Sequence, residues 1–390
     1  MDTLSFLPAG SLVLKVILFA NTEWYLYNFR RSLATALREA GHELLLLSPP
    51  GPYGDKLRDL GFRWIAAPME RRSLNPLREL SLLIWLRRLI KQEQADLVHS
   101  FTIKCAVYGS LAARFADTPG RVNAVTGMGY VFTGGDFRAR LLRPLVRGLL
   151  RVALDGQGTR LILQNPDDVA LFREAGLVEM SRVRLIQGSG VDCNRYEKKH
   201  THAVGNPLRV LLASRLLWDK GLAEYASAAR ELKAKGRAIH FLLAGLPDSG
   251  NPAAVPKEAI QAWVHEGILE WLGHVDDMPT LLSSVDVMVL PSYREGLPKG
   301  LIEAAACGLP LITTNVAGCR EVVTHEVDGL LVPVHDAEAL AQAIARLQDD
   351  PALAARLGEA AREKAQAQFD ERVVIEQTMA VYHELIPWKI

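Results

Sequence analysis

The stretch VDVMVLPSYREGLPKGLIEAAACGLPLITT, residues 285–314, contains an apolar run, a polar loop, a helical pattern and a second apolar run. Both apolar runs are short and almost uninterrupted, which is typical of strands covered on both faces of a parallel sheet. The helical pattern between them is closed by Gly308, a residue common just after a helix. A strand, a crossover helix and a further strand predict the α/β fold class.

The same alternation extends in both directions along the 390 residues. Enough residues separate successive apolar runs for crossover helices, so we predict two doubly wound, Rossmann-like domains. In the first half, strands are predicted at 13–20, 43–48, 62–67, 95–100, 121–126, 160–164 and 183–187. In the second half, they are predicted at 208–214, 238–245, 268–273, 285–292, 310–314 and 329–333.

A polar segment at 188–207, rich in turn-forming residues, separates the two series of strands. We therefore place an N-terminal domain at 1–190 and a C-terminal domain at 191–370. Two helical patterns without a strand between them end the chain. We expect the last of them, 371–390, to cross back to the N-terminal domain.

Composition excludes several classes of protein. A hydrophobic content of 49% is too high for intrinsic disorder, and 30 glycines and 20 prolines are ordinary numbers for a globular chain. The net charge of +1 argues against a nucleic-acid partner. The four cysteines form no Cys-x-x-Cys pair, and no Asp-x-Asp occurs, so we predict no metal site. The absence of Gly-x-Gly-x-x-Gly gives no support to dinucleotide redox chemistry.

The charge is unevenly divided between the two halves. Residues 1–200 carry 28 Lys+Arg and 19 Asp+Glu, a net +9, whereas residues 201–390 carry 17 and 25, a net −8. This asymmetry predicts different partners for the two domains, although drift in surface composition would also produce it. No cationic leader precedes the first apolar run, and no run is long enough to span a bilayer, so we expect a cytoplasmic protein.

The strand-to-helix junctions are the first places to look for a site, because ligands bind beyond the carboxyl ends of parallel strands. Pro298 follows the predicted strand 285–292 and suits the first position of a helix. The N–H groups of Lys299, Gly300 and Leu301 would then be free, and Gly300 permits close approach. A helix start of this kind is suited to a phosphate.

Two glutamates and two cations surround this predicted phosphate site. Glu303 lies about 7.5 Å along the helix from its start, where its carboxylate would accept hydrogen bonds from ribose hydroxyls, and Glu295 would face the group attached to a diphosphate. The alternative is that both are solvated surface charges. Arg215 and Lys220 follow the strand 208–214 and are candidate anion ligands, unless they form a salt bridge with Asp219.

The equivalent edge of the first domain carries His99, Lys104, a Gly-containing loop at 126–129 and the segment 21–30. His99 is either a core histidine with satisfied hydrogen bonds or a catalytic or sugar-binding group. Lys104 has no acidic partner nearby in sequence, which leaves phosphate binding open.

Several motifs together carry a resemblance to a known family. EGLPKGLIE (295–303) resembles the Glu-x7-Glu motif of the retaining family 4 glycosyltransferases, which have the GT-B fold, and Arg215 with Lys220 resembles their Arg-x4-Lys pair. Further matches follow in the family's order at SGVD (189–192), GLPLITTNVAGCREVV (308–323) and DGLLVP (328–333).

The first domain is similar to one subgroup of that family. This subgroup contains capsular-polysaccharide enzymes and the galactosaminyltransferase that extends a diphospho-undecaprenol-linked bacillosamine. The similar segments are NTEWYLYNFR (21–30), VHSFTIKCAVYGSLAAR (98–114) and VTGMGYVF (125–132). The chain carries Asn21-Thr22-Glu23-Trp24 where many members of the family have a Gly-Gly pair, which puts donor contacts from this loop in question.

The resemblance implies two domains facing a central cleft, with an acceptor site in the first and a UDP-sugar site in the second. The UDP-sugar is a substrate, and neither a separate cofactor nor a metal is implied. The catalytic residues would be His99, Arg215, Lys220 and Glu295. The donor-binding residues would be Arg215, Lys220, Gly245, Val275, Glu295, Gly296, Leu297, Pro298, Lys299, Gly300, Leu301 and Glu303. The acceptor-binding residues would be Asn28, Arg30, Lys104, Thr126, Gly127 and Gly129.

The implied reaction moves a hexose or N-acetylhexosamine from the UDP-sugar to a polyprenyl-diphosphate-linked saccharide, in the assembly of a bacterial surface glycan or glycoprotein glycan. A UDP-sugar epimerase of the same architecture is the alternative. Five arginines interleave with leucines over 138–151 and predict a basic helix, beginning at Pro144, that lies on an anionic membrane. The same pattern also fits a core helix with arginines on its solvated face.

Overall fold

A computed structural model of the chain describes residues 13–71, 73, 75–125, 137–196, 207–248 and 250–386, without the side chains of 137–143, 145 and 146. The chain divides into two compact units. The first comprises Met1–Ser189 and Val374–Ile390, and the second comprises Gly190–Val373. Each unit is built on its own parallel sheet, which gives the pair of Rossmann-like domains expected for the GT-B fold.

The first unit contains a seven-stranded parallel sheet in the order β3-β2-β1-β4-β5-β6-β7. All the strands predicted for this half form, because their apolar side chains are buried beneath helices on both faces. They are β1 Lys15–Phe19, β2 Glu43–Ser48, β3 Trp64–Ala66, β4 Leu97–Phe101, β5 Gly120–Ala124, β6 Thr159–Leu163 and β7 Val183–Leu185.

The second unit contains a six-stranded parallel sheet in the order β10-β9-β8-β11-β12-β13. The strands predicted for this half also form, each within a few residues of its expected bounds. They are β8 Leu208–Ala213, β9 Ile239–Ala244, β10 Glu270–Gly273, β11 Val287–Leu290, β12 Leu311–Thr314 and β13 Leu330–Val332.

Helices connect the strands as crossovers. In the first unit they are Glu23–Tyr25, a π-helix Leu26–Arg30, Arg31–Glu39, Tyr53–Asp59, Pro76–Glu93, Ile103–Phe115, Phe137–Leu154 and Pro166–Glu174. In the second unit they are Leu222–Ala234, Lys257–His265, Met278–Ser283, Lys299–Ala306 and Cys319–Val322. Three further helices follow the last strand: Ala337–Asp349, Pro351–Lys364 and a π-helix Ala365–Phe369. Short 3-10 turns lie at Met180–Arg182, Cys193–Arg195 and Trp218–Lys220.

The last helix runs from Glu371 to Leu385. From Val374 onward the chain belongs to the first unit, where Val374, Val381 and Tyr382 are buried in the same apolar cluster as strands β1 and β4. Burial of these side chains explains why a helix without a following strand is retained at the end of the chain.

The helix Phe137–Leu154 begins earlier than the sequence predicted. Pro144 lies inside it and not at its start. A proline inside a helix removes one backbone hydrogen bond and usually bends the helix. Pro144 is exposed, so it lies on a solvated face of the helix. Among the described residues, no helix is both long enough and apolar enough to cross a membrane.

Candidate active site

The order of strands reverses between β8 and β11, and in such sheets the carboxyl edge at that point is where ligands bind. The segments that follow these two strands are in direct contact. The N–H of Tyr293 donates to the carbonyl of Asp219 at 2.8 Å, and the hydroxyl of Ser292 donates to the same carbonyl at 3.0 Å. Gly221 has φ +74°, and a Cβ there would lie 2.1 Å from the Pro291 carbonyl oxygen. Glycine at 221 is therefore required for this contact.

This contact brings together Lys220 and Glu295, two residues that the sequence predicted separately. The ammonium of Lys220 lies 2.6 Å from the carboxylate of Glu295, and each side chain is 13% exposed. Within the described residues, Glu295 is the acceptor found for Lys220, so the other N–H groups of the ammonium remain available for a ligand. The pairing was not predicted, since 75 residues separate the two.

Arg215 lies at the same edge, and its side chain is more exposed to solvent than that of Lys220. Its guanidinium donates to Asp248 at 2.9 Å, and its side chain is 61% exposed. The predicted alternative, a salt bridge with Asp219, is wrong about the partner, because the segment after β9 supplies the carboxylate. An exposed pair of this kind exchanges readily for a stronger anion.

The helix at this edge begins one residue later than predicted. Pro298 is extended, with φ −77° and ψ 102°, and serves as the N-cap of Lys299–Ala306. The expectation that the Leu301 N–H is free is wrong, because it donates to the Pro298 carbonyl at 3.1 Å. The first turn still places the backbone of Lys299 and Gly300 at the carboxyl edge. A Cβ on Gly300 would lie 3.6 Å from the carbonyl oxygen of Ala213, the last residue of β8, which is an ordinary contact.

Glu303 lies within this helix and is 14% exposed. Its carboxylate lies 3.4 Å from the ammonium of Lys299, one turn earlier. It also lies beside the hydroxyl of Tyr196. Burial raises the pKa of Tyr196, and the Glu303 carboxylate raises it further, so the tyrosine stays protonated and able to donate. Glu303 therefore has Lys299 and Tyr196 as partners. The alternative, that Glu303 is a solvated surface charge, did not include them.

Glycines shape the surroundings of Glu295. Gly318 has φ +76°, and a Cβ there would lie 2.4 Å from the carbonyl oxygen of Gly296. Gly245, another predicted donor residue, has φ +130° and accepts a hydrogen bond from the Trp271 indole at 2.9 Å. Leu297 and Val275 are partly buried against the apolar cluster of this unit. These residues supply backbone and apolar surface rather than charge.

Tyr293 is a residue of this site that the sequence analysis missed. Its hydroxyl lies 2.8 Å from both carboxylate oxygens of Glu224 and its ring lies 3.9 Å from the ring of His335. Burial raises the pKa of Tyr293, and the Glu224 carboxylate raises it further. Tyr293 thus fixes the loop that carries Glu295. Its position directly after a strand, within a polar loop, was the available signal.

In the first unit the order of strands reverses between β1 and β4, and His99 lies within β4. His99 is 1% exposed, and its Nδ1 lies 2.6 Å from the Tyr382 hydroxyl. Its Nε2 is buried without a hydrogen-bond partner among the described residues. Burial holds the pKa of His99 well below 6.5, and the nearby charge of Arg30 lowers it further. His99 is therefore a neutral imidazole.

Arg30 lies beside His99 and is 5% exposed. Its guanidinium lies 4.4 Å from the centre of the Phe101 ring and donates to the Tyr25 hydroxyl at 3.0 Å. Its Nε has no acceptor within the described part of the chain. Asn28, on the same π-helix, donates to the Trp24 carbonyl at 3.0 Å. Arg30 is thus a buried cation held by aromatic rings.

Lys104 has the acidic partner that its sequence neighbourhood lacked. Its ammonium lies 2.8 Å from the Glu79 carboxylate, which comes from a different helix, and it donates to the carbonyls of Glu70 at 2.7 Å and Ser73 at 3.1 Å. Lys104 therefore has an acidic partner in the folded chain, although none lies near it in sequence. The predicted residues Thr126, Gly127 and Gly129 lie outside the described residues. Within the described part of the chain, no group of His, Cys, Asp and Glu could hold a metal ion.

Comparisons with known proteins identify the family of the chain. The model of glycosyl transferases group 1 matches residues 194–364, and the glycosyl transferase 4-like domain matches residues 28–187. The chain is 30% identical over 373 residues to the N,N'-diacetylbacillosaminyl-diphospho-undecaprenol alpha-1,3-N-acetylgalactosaminyltransferase of Campylobacter jejuni, covering 93% of this chain and 96% of that one.

A second relative is the UDP-Gal:alpha-D-GlcNAc-diphosphoundecaprenol alpha-1,3-galactosyltransferase of Escherichia coli, 28% identical over 79% of this chain and 80% of that one. Among solved structures, Anabaena HepE in complex with UDP and glucose aligns with a TM-score of 0.78 at 20% identity, covering 95% of this chain and 100% of that one. Both relatives are named as transferases, which does not favour the epimerase alternative.

Proposed function

We propose that this chain, which belongs to the retaining family 4 glycosyltransferases, moves a hexose or N-acetylhexosamine from a UDP-sugar to a polyprenyl-diphosphate-linked saccharide. The reaction would contribute to a bacterial surface glycan or glycoprotein glycan. The observation that carries the proposal is the Lys220–Glu295 pair at the strand-order reversal, beside the start of the helix Lys299–Ala306. The acceptors named for the two relatives support the type of acceptor, and the UDP bound by HepE supports the carrier.

The two units would have separate substrates. We assign the acceptor to the domain at 1–190, completed by 371–390, and the donor to the domain at 191–370. The net charge of +9 over residues 1–200 suits an acceptor with a diphosphate and an anionic membrane behind it. Residues 201–390 carry a net charge of −8, so cations are in the minority in this half of the chain, and those at the donor edge suit an anionic ligand.

At the donor edge, Lys220 and Arg215 would neutralise the diphosphate and stabilise it as it leaves. The backbone of Lys299 and Gly300 would bind the phosphate oxygens. Glu303 would accept hydrogen bonds from the ribose hydroxyls, and the segment around Val275 would hold the base.

Glu295 would accept a hydrogen bond from a hydroxyl of the transferred sugar while keeping Lys220 in position. Transfer would retain the anomeric configuration by attack of the acceptor hydroxyl on the same face that the phosphate leaves, and that phosphate would take the acceptor's proton.

At the acceptor edge, Arg30 would bind the diphosphate of the lipid carrier, since its buried guanidinium has an N–H without an acceptor. Lys104 would assist by exchanging one of its carbonyl contacts for a phosphate oxygen. Asn28, Thr126, Gly127 and Gly129 would line the same substrate. His99, neutral and buried, would donate a hydrogen bond near the acceptor hydroxyl rather than act as a base.

The protein would be cytoplasmic and peripheral to the inner membrane. Within the helix Phe137–Leu154, Arg147 and Arg151 are exposed together with Leu149 and Val152. Replacing both arginines by Gln is expected to weaken binding to vesicles of anionic lipid, by about 1 kcal/mol for each charge. Equal sedimentation of the wild type with anionic and zwitterionic vesicles would contradict membrane attachment through charge.

The test of function is a panel of nucleotide sugars, first for thermal stabilisation and then for transfer to lipid-linked acceptors. A ligand that binds only the folded state raises the melting temperature. We expect UDP and one or more UDP-sugars to do so, and Arg215→Ala, Lys220→Ala and Glu303→Ala to reduce transfer. Unchanged turnover of every accepted donor in all three variants would contradict the proposal.

A further inference from the structure

The carboxylate of Glu23 occupies an unusual position in the first unit. Glu23 follows β1 at the strand-order reversal. The residue is only 6% exposed. Within the described part of the chain, its carboxylate accepts no hydrogen bond and forms no ion pair. Other shielded glutamates have partners: Glu79 pairs with Lys104, and Glu93 pairs with Arg63.

Neither carboxylate oxygen of Glu23 is among the described side-chain atoms that are fully buried without a hydrogen-bond partner. The carboxylate is therefore shielded but still reaches solvent, and the hydrogen-bond donors of a ligand can replace the water there. Glu23 is also followed directly by the π-helix Leu26–Arg30, an element that occurs frequently at functional sites. A carboxylate at the strand-order reversal that has no donor from the described protein is therefore available to a ligand.

A glycine in the loop after the neighbouring strand β2 leaves space for the carboxylate of Glu23. Gly51 follows β2, and an ideal Cβ there would lie 2.0 Å from Oε1 of Glu23 and 2.4 Å from its Cδ. Any side chain at position 51 would displace the carboxylate. Two adjacent segments of the carboxyl edge thus meet at Glu23.

The chemistry of the group selects the ligand. A carboxylate only accepts hydrogen bonds, so the ligand must donate them through hydroxyl or amide N–H groups. A phosphate is excluded because its charge has the same sign. Aromatic rings lie on the same two segments: Trp24 is 43% exposed, and the rings of Tyr27 and Tyr53 lie 5.2 Å apart. Carboxylate and aromatic surface together suit a neutral sugar.

We propose that Glu23 binds the saccharide of the acceptor by accepting hydrogen bonds from a sugar hydroxyl or an acetamido N–H. This inference rests on the proposed function and extends it: Glu23 contacts the sugar, while Arg30, seven residues later, contacts the diphosphate. The two charges lie on one helical segment and form no ion pair with each other. Glu23 would then contribute to the choice of acceptor.

The experiment measures KM for a short-chain polyprenyl-diphosphate saccharide and for the UDP-sugar in the full-length protein. Glu23→Gln should raise the acceptor KM about 10-fold, because a hydrogen bond to a charged group becomes one to a neutral group. The donor KM should not change. Gly51→Ala keeps the carboxylate but displaces it, so it should raise the acceptor KM in the same way.

The control is Glu93→Gln, which neutralises a shielded carboxylate of the same unit that is paired with Arg63 just before β3. It should leave both KM values unchanged. Melting temperature separates function from folding: Glu23→Gln should melt at the same or a higher temperature than the wild type, because it removes a largely shielded charge that has no ion pair in the described part of the chain.

An unchanged acceptor KM in Glu23→Gln overturns the inference, and so does a rise in the donor KM alone. A lower melting temperature with unchanged KM values would make Glu23 a structural residue and overturn it as well. A wild type that transfers no sugar to any lipid-linked acceptor contradicts the proposed function instead, and that result is seen before any variant is compared.

Discussion

The two strand-order reversals differ in how their polar groups are satisfied. At the edge of β8 and β11, the charged residues predicted for the donor already have partners: Lys220 with Glu295, Arg215 with Asp248 and Glu303 with Lys299. At the edge of β1 and β4, His99 Nε2 and Arg30 Nε have no partner among the described residues, and Glu23 has no ion pair.

The two edges therefore differ in whether their polar groups are satisfied before a ligand binds. The shielded Lys220–Glu295 pair has a fixed geometry, and the remaining N–H groups of Lys220 can bind a diphosphate without rearrangement. Unsatisfied buried groups at the acceptor edge each cost about 1–3 kcal/mol, which ligand binding would offset. The donor edge should therefore be sensitive to loss of charge, and the acceptor edge should gain stability from substitutions that remove its polar groups.

The largest effect is expected from Lys220→Ala. It removes a cation from the leaving diphosphate and also leaves Glu295 unpaired, so kcat/KM should fall about 100- to 1000-fold. Steady-state transfer kinetics provide the measurement. The control, Lys364→Met, breaks a comparably shielded pair with Asp328 in the same unit, and should lower the melting temperature with little change in kcat/KM.

Gly221→Ala tests the contact that positions Lys220. Its Cβ would meet the Pro291 carbonyl, so the loop must move, and kcat should fall by up to about 100-fold. Gly236→Ala is the matched control, because Gly236 has a similar φ of +68° and nothing within 4 Å of the added Cβ. Both variants should lose stability, but only Gly221→Ala should lose turnover. Equal turnover in the two would show that the contact does not position Lys220.

Glu303→Gln should have a smaller effect, confined to the donor. The amide still reaches the ribose hydroxyls but accepts hydrogen bonds more weakly, so the KM for the UDP-sugar should rise about 10-fold with the acceptor KM unchanged. Isothermal titration calorimetry with UDP measures the affinity of the wild type and of Glu303→Gln for the carrier in the absence of an acceptor. Unchanged UDP affinity would remove Glu303 from the donor site.

The smallest effect concerns pH at the acceptor edge. Folding lowers the pKa of His99 through burial and the charge of Arg30, so below about pH 6.5 the unfolded chain binds a proton that the folded chain does not. The contribution of neutral His99 to stability is complete above pH 6.5 and falls as the pH is lowered, by at most about 1.4 kcal/mol per pH unit.

Thermal melting of the wild type and His99→Gln at pH 7.5, 6.5 and 5.5 measures this difference. The wild type should lose more stability on acidification than the variant. His42, whose pKa is also lowered by burial, titrates in both proteins and cancels in the comparison. Identical pH dependence would mean that His99 is not held neutral.

The sequence was sufficient for the architecture, since each buried parallel strand is a local apolar run. It also predicted that Glu295, Glu303, Arg215 and Lys220 lie at one edge of the second sheet, because they follow strands that a parallel sheet aligns. The error at Pro298 was local: its extended ψ places it before the helix, and this cannot be distinguished by residue type from the first helical position.

The sequence did not predict contacts between residues that are distant along the chain. Lys220 and Glu295 meet only because two loops share backbone hydrogen bonds. His99 and Tyr382 are 283 residues apart, and Lys104 finds Glu79 on another helix. Glu23 was noted only as part of a segment that differs from the family pattern, because a missing partner is visible only in three dimensions.

Transfer of a radiolabelled sugar from its UDP carrier to a polyprenyl-diphosphate-linked saccharide tests the central claim most directly. The proposal predicts label in the organic extract only when both substrates and the wild-type protein are present, with at least about a 100-fold loss in Lys220→Ala. Label that stays water-soluble with every donor and acceptor, or transfer by Lys220→Ala at the wild-type rate, would contradict it.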